Sequence, residues 1–286
     1  MSVQILIGDC REKLREMPDA SVHCCVTSPP YFGLRGVEGQ MGLEPTPDEF
    51  DGTLWLNIGD SYANDGKWGG STGGKHVSAL HGDSGIGRRK LKTGLKSKDL
   101  IGIPWMLAFA LRADGWYLRQ EIIWHKPNPM PESVRDRCTK AHEQIFLLSK
   151  QPKYYYDAEA NMKAVIRSPK LQEPGSGIKN NKSFANAVCM PVSKRNKRSV
   201  WTVTTKPFKE AHFATFPPDL IEPCILAGCP EGGVVLDPFG GAGTTGFVAD
   251  RLNRNAILIE LSAEYAAIAE RRLNADSPLF AEVQAA

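Results

Sequence analysis

The 286-residue chain carries 35 lysines and arginines against 32 acidic residues, a formal charge of +3, with 42% hydrophobic and 23% charged residues. That balance excludes a disordered chain, and with no apolar run near the ~20 residues of a bilayer span it excludes a helical membrane protein. One soluble domain over 1–286, carrying inserted segments, is expected from the length.

The opening Met1-Ser2-Val3-Gln4 lacks the charged start and apolar core of a secretory signal, so a cytoplasmic location is expected. The seven cysteines, Cys10, Cys24, Cys25, Cys138, Cys189, Cys224 and Cys229, include no Cys-x-x-Cys pair and no histidine at zinc-finger spacing. Reduced, mostly buried thiols and no metal site follow.

Residues 3–7, 11–17 and 22–27 read as strand, helix, strand, with apolar runs of the kind buried in a parallel sheet. Residues 64–98 then form a long glycine-rich loop that contains Arg88, Arg89 and Lys90. Pro104 opens an apolar helix through Leu111 that closes at Gly115, and strands follow at 117–124 and 144–149. A second irregular, basic block covers 157–199 and includes Lys194, Arg195, Lys197 and Arg198. Charge runs such as these two blocks are solvated loops in many proteins. The C-terminal part is the clearest α/β unit: strand 234–236, a glycine turn, helix 245–252, strand 256–260, and a helix over 263–273 for which Ser262 is the expected cap.

Two loops at strand ends carry the chemistry. Asp237-Pro238-Phe239-Gly240-Gly241-Ala242-Gly243-Thr244-Thr245 lies where a strand gives way to a helix, where glycines let the backbone approach a ligand. Glu260, about twenty residues on at the next strand end, is placed to take two ribose hydroxyls. A dinucleotide site or a structural turn would share this geometry. The turn lacks the Gly-x-Gly-x-x-Gly spacing and the Walker lysine that serve phosphates, so a phosphate-free cofactor, S-adenosyl-L-methionine, fits better, with Asp237 near its cationic end. Thr27-Ser28-Pro29-Pro30-Tyr31 follows the strand at 22–27. Its prolines stiffen the loop and can aim a carbonyl at a flat amine, Ser28 can accept from the same amine, and Tyr31 offers a stacking face.

With these motifs the chain resembles the amino-methyltransferases of DNA, which methylate N4 of cytosine or N6 of adenine. Ser28-Pro29-Pro30-Tyr31 matches the family's catalytic motif, Asp237 through Thr245 its cofactor motif, and Glu260 its ribose-binding acid. The resemblance extends to Asp9, implied to contact the cofactor's adenine, and to 212–217, where His212, Phe213 and Thr215 are implied to pack around its methionine end. It also covers 121–128 and 140–143. The order of motifs, catalytic before cofactor, is that of the beta group.

The resemblance implies an α/β, Rossmann-like S-adenosylmethionine-dependent methyltransferase fold with a seven-stranded, mostly parallel sheet and an inserted target-recognition region at 157–199. It implies double-stranded DNA as partner, with Arg88, Arg89, Lys90, Lys194, Arg195, Lys197 and Arg198 as the DNA-binding candidates, and a homodimer. It says nothing of a restriction endonuclease partner. Ser28 favours N4 of cytosine over N6 of adenine by the family trend. A catalytic cysteine, as used for carbon-5 methylation, would sit after a proline, whereas Cys229 precedes Pro230. An inactive DNA-binding relative would carry a damaged loop, and neither loop is damaged. RNA and protein methyltransferases use a related Pro-Pro-Tyr loop, but the basic insertions suit a long polyanion better.

Overall fold

The computed structural model describes residues 1–29, 52–63, 95–160, 163–164, 194–206, 215–276 and 282–285. In chain order the elements are β1 (Ser2–Ile7), α1 (Cys10–Glu16), β2 (Cys24–Thr27), β3 (Thr53–Ile58), α2 (Ile103–Ala113), β4 (Tyr117–His125), β5 (His142–Ser149), β6 (Lys163–Ala164), β7 (Lys194–Arg195), β8 (Val200–Thr202), α3 (Pro218–Gly228), β9 (Val234–Asp237), α4 (Thr244–Arg251), β10 (Asn255–Glu260), α5 (Ala263–Asp276) and β11 (Glu282–Ala285). β6 and β7 pair as a separate antiparallel ribbon. The other nine strands form one sheet in the order β11-β1-β10-β9-β2-β3-β5-β4-β8.

From β11 to β3 every pairing is parallel; β5 runs antiparallel to both its neighbours, and β8 is parallel to β4. The expected architecture is present, but among the described residues the sheet has nine strands where seven were expected. The additional two, β8 and β11, are short and lie on the two edges, where pairing on one side leaves little burial to reward a longer run. Central β2 and β3 are buried along their whole length, as parallel strands covered on both faces must be.

Helices cover both faces. α3, α4 and α5 place Leu220, Ile225, Val248 and Leu273 against Val3, Val26, Trp55 and Leu258, while α2 brings Ala108 and Leu111 onto the other face against Leu54, Phe146 and Leu236. Among the elements the sequence reading passed over are β3 and α3. β3 contains the polar Thr53 and Asn57, whose partners lie on neighbouring strands: the Thr53 hydroxyl donates to Cys24 Sγ at 3.6 Å, and Asn57 Nδ2 to the Gln144 carbonyl at 3.2 Å. α3 carries Pro223 inside the helix, which reads in sequence as a break, yet its burial against the sheet holds it helical.

The consequence for function is positional. β1, β10, β9, β2 and β3 are parallel neighbours, so their carboxyl ends line one edge of the sheet, the place where ligands bind in such folds. Among the described residues no helix is long and apolar enough to cross a membrane, and no His, Cys, Asp and Glu group could hold a metal.

Candidate active site

The cofactor turn is built from inside. Asp237, at the end of β9, is 1% exposed. Its Oδ1 accepts from the Thr27 hydroxyl at 2.7 Å and the Phe239 amide at 3.0 Å, and its Oδ2 accepts from the Thr245 hydroxyl at 2.6 Å. Burial pushes its pKa up to about 6, against the pull of the Thr245 and Thr27 hydroxyls. The expectation that Asp237 faces a cationic ligand is therefore revised: it lies in the wall behind the turn, its oxygens taken up by protein donors. Thr244 and Thr245 share that position. Both are buried, and the Thr244 hydroxyl receives the Arg272 guanidinium at 2.9 Å, which also donates to the Ala242 carbonyl at 3.0 Å.

Pro238 and Gly240 are buried as well, so the turn's partly exposed surface is Phe239 and Gly241. Gly243 has φ +74° and a Cβ there would come within 2.8 Å of Ala269 Cβ, so this glycine serves helix packing. Gly241, at φ +52°, would hold a Cβ in ordinary contact with the Phe239 carbonyl, 3.8 Å away, and its amide donates to Glu260 Oε2 at 2.8 Å. The other Glu260 oxygen accepts from the Ser262 amide at 2.9 Å. One carboxylate thus clips the turn to the start of α5, and Ser262 caps that helix as expected, its side chain accepting from the Tyr265 amide.

Beside Glu260 stands the end of β1, where the Gly8 amide donates to the Glu260 carbonyl at 3.0 Å. Asp9 caps α1 and holds Arg11, with Oδ1 accepting from the Arg11 amide at 2.8 Å and Oδ2 pairing with its guanidinium at 2.6 Å. Those hydrogen bonds from Arg11 hold its carboxyl down at about 2. The strand-end residues Ile7 and Leu261 expose apolar side chains on either side. A half-buried carboxylate with lone pairs to spare, a partly exposed glycine and two exposed aliphatic side chains fit a polar ribose and a flat base. Thr215, half-buried, is described ahead of α3; His212 and Phe213 lie outside the described residues.

The catalytic loop leaves the sheet next door. β2 pairs with β9 through Cys24 and Val235, and Cys25 and Leu236, so Thr27 and Asp237 meet although 210 residues separate them. Ser28 is half-buried and Pro29 buried; Pro30 and Tyr31 lie outside the described residues. Further along the edge, β3, β4 and β5 contribute a polar cluster. Glu143 receives Asn57 Nδ2 at 3.4 Å and pairs with Lys126, whose ammonium lies 4.2 Å from the Trp124 ring centroid. Asp60 accepts from the Gly102 and Ile103 amides that begin α2, and Lys140 donates to its carbonyl. No single motif announces this cluster, since its members come from three strands.

Of the basic candidates, Lys197 lies 4.5 Å from the Trp201 ring centroid, and the Arg198 carbonyl accepts from the Trp201 indole at 2.7 Å; Trp201 itself is buried. Lys194 and Arg195 form β7. Arg88, Arg89 and Lys90 lie outside the described residues, as do most of the blocks 64–98 and 157–199. The described cysteines are free thiols, and Cys24, Cys25, Cys224 and Cys229 are buried.

A family model described as DNA methylase, of the N6/N4 type, matches residues 22–271. The type II methyltransferases M.SmaI of Serratia marcescens and M.Cfr9I of Citrobacter freundii are each 45% identical to the chain, over 95% of it and 91% of the former, and over 98% of it and 90% of the latter. The chain belongs to the N6/N4 DNA methylase family. Among solved structures, the cytosine-N4-specific PvuII DNA methyltransferase shares the fold of this DNA methylase with a TM-score of 0.62 at 19% identity, covering 95% of this chain and 86% of that one. The M1.HpyAVI-SAM complex does so with a TM-score of 0.53 at 20% identity, over 95% and 100%. In this methylase the two motifs that carried the resemblance therefore stand on adjacent strand ends, joined by the Thr27–Asp237 hydrogen bond.

Proposed function

We propose that this methylase is a site-specific type II enzyme that moves the methyl group of S-adenosyl-L-methionine to the exocyclic amine of a base turned out of duplex DNA, N4 of cytosine rather than N6 of adenine. The observation that carries the reading is the Thr27–Asp237 hydrogen bond, which fixes the start of the amine-binding loop against the turn of the cofactor site. The cofactor, when bound, supplies an electrophilic sulfonium methyl. Glu260 would hold its ribose, with the Gly241 backbone and the exposed Ile7 and Leu261 around it.

A stacked amine is out of reach of any such site, so the base leaves the helix at a cost of a few kcal/mol, part of which stacking on Tyr31 offsets, at roughly 1–3 kcal/mol per base. The amine lone pair is delocalised into the ring. Hydrogen bonds from the amine to the Ser28 hydroxyl and the Pro29 carbonyl would localise it and hold it in line for attack; as the nitrogen–carbon bond replaces the sulfur–carbon bond, the amine's surplus proton would pass to solvent. Ser28 at the first motif position supports cytosine, as does the fold shared with a cytosine-N4-specific enzyme.

DNA would be held by Arg88, Arg89, Lys90, Lys194, Arg195, Lys197 and Arg198, and a homodimer would cover a duplex site better than one copy; light scattering reads the latter. The deciding experiment incubates duplex DNA with the enzyme and S-adenosyl-L-methionine, and resolves the nucleosides by mass spectrometry. N4-methylcytosine is expected. N6-methyladenine would overturn the base assignment, and methylation of RNA or protein alone would overturn the substrate class.

A further inference from the structure

The chain between β4 and β5 leaves the sheet at the catalytic edge, because β4 is antiparallel to β5, which is antiparallel to β3, and β3 is parallel to β2. Three strand spacings separate the ends of β2 and β4, roughly 14 Å. That is close to the roughly 12 Å width of a major groove.

This excursion is tied down at its base. The Lys126 amide donates to the Ala141 carbonyl at 2.8 Å, and the Asn128 side chain exchanges two hydrogen bonds with the Thr205 backbone, at 3.1 and 3.3 Å. Glu132 accepts from the Arg137 guanidinium at 2.7 Å and the Lys140 amide at 3.2 Å, and the Arg137 guanidinium lies 3.9 Å from the Tyr62 ring centroid. Between these anchors the tip reads Pro127-Asn128-Pro129-Met130-Pro131. Prolines at every second position fix their own φ and hold each preceding residue extended.

On this stiff tip Met130 is 85% exposed, the most exposed of the large hydrophobic side chains described. A single exposed apolar residue needs no explanation by itself. Met130 differs in its surroundings: residues 126–140 hold Lys126, Arg135, Arg137 and Lys140 against Glu132 and Asp136, and Arg135 is exposed and makes no ion pair among the described residues. An apolar tip on a net positive, pre-ordered loop beside the catalytic edge matches a polyanion with an apolar interior, and duplex DNA is that polyanion.

We propose that the 127–131 tip enters the duplex at the target base pair and that Met130 fills the gap left by the departing base. The inference rests on the base-flipping reading above. A methionine is unbranched and adaptable, and can slide between base steps spaced roughly 3.4 Å apart, as apolar wedges do in kinked duplexes. The rigid tip loses little conformational freedom on entry.

The test compares Met130→Ala and Met130→Leu with the wild type on two duplexes, one carrying the methylated site as read by sequencing and one with the target base mispaired within it. Fluorescence of 2-aminopurine placed next to the target base, where it loses a stacking neighbour when that base leaves, reports flipping. Met130→Ala should lower kcat/KM about tenfold on the paired site and much less on the mispaired one, where unpairing is already cheap. Met130→Leu should recover most of the loss, and affinity for S-adenosyl-L-methionine should not change. Equal losses on both duplexes, or no loss on either, would overturn the wedge while leaving a flipping signal in the wild type. Absence of that signal in the wild type would overturn base flipping, and the wedge with it.

Discussion

The two halves of the proposed active site are built differently. The cofactor half is a contiguous turn, Asp237 to Thr245, closed by Glu260 and Arg272, and nearly every polar group in it has a protein partner within the same α/β unit. The catalytic half hangs from the end of a four-residue strand, and two hydroxyls tie that strand to the turn, Thr27 donating to Asp237 and Thr245 to the Val26 carbonyl. A small ligand that is always the same can be met by buried backbone fixed in advance. On the proposed reading, a base delivered on a long duplex is met where the chain leaves the sheet, at half-buried Ser28 and buried Pro29.

The comparison breaks most visibly at Asp237, where the halves meet. Asp237→Ala would leave the Thr27 hydroxyl, the Thr245 hydroxyl and the Phe239 amide without their acceptor in a dry site, each costing about 1–3 kcal/mol. A loss of about 3–5 kcal/mol in urea denaturation is expected, together with weaker binding of S-adenosyl-L-methionine in calorimetry. A variant as stable as the wild type would show that the junction contributes little.

Asp237 also sets a pH dependence. Its folded pKa of about 6 lies above the ordinary 3.8, so the folded protein binds this proton more tightly than the unfolded chain does. The stabilisation is complete below about pH 3.8 and is lost as pH rises through about 6, a swing of about 3 kcal/mol. Asp237→Asn removes the titration, so its stability relative to wild type should climb across that window. Parallel curves for the two proteins would place the titrating group elsewhere.

Glu260→Ala probes the cofactor half alone. It releases the Gly241 and Ser262 amides and deletes the proposed ribose acceptor; with charged hydrogen bonds worth about 1.5–3 kcal/mol, affinity for S-adenosyl-L-methionine should fall about a hundredfold. Unchanged affinity would move the ribose to another strand end. Ser28→Ala is the smallest expected effect and the cleanest on the catalytic half: kcat on DNA should fall about tenfold, one hydrogen bond's worth, with cofactor affinity unaltered. A drop in cofactor affinity instead would mean that the halves are not separable in the way their construction implies.

Local chemistry was readable along the chain. The glycine turn, Ser28-Pro29, the acid at Glu260 and the Ser262 cap could be located because each depends on neighbours a few residues away, and the structure puts them on strand ends and a helix start. Tertiary structure alone decided the rest. β3 and α3 were passed over because their polar residues and Pro223 find partners or cover only across the sheet. Asp237 looked like a ligand contact and is a wall, since burial is not a property of a motif but of what packs behind it, here Thr27 from 210 residues away and Arg272 bracing the same turn from α5. Met130 became notable only once the strand order had brought β4 to the catalytic edge and the packing had left its side chain bare, because which side chains stay in water is settled by the whole chain closing on itself.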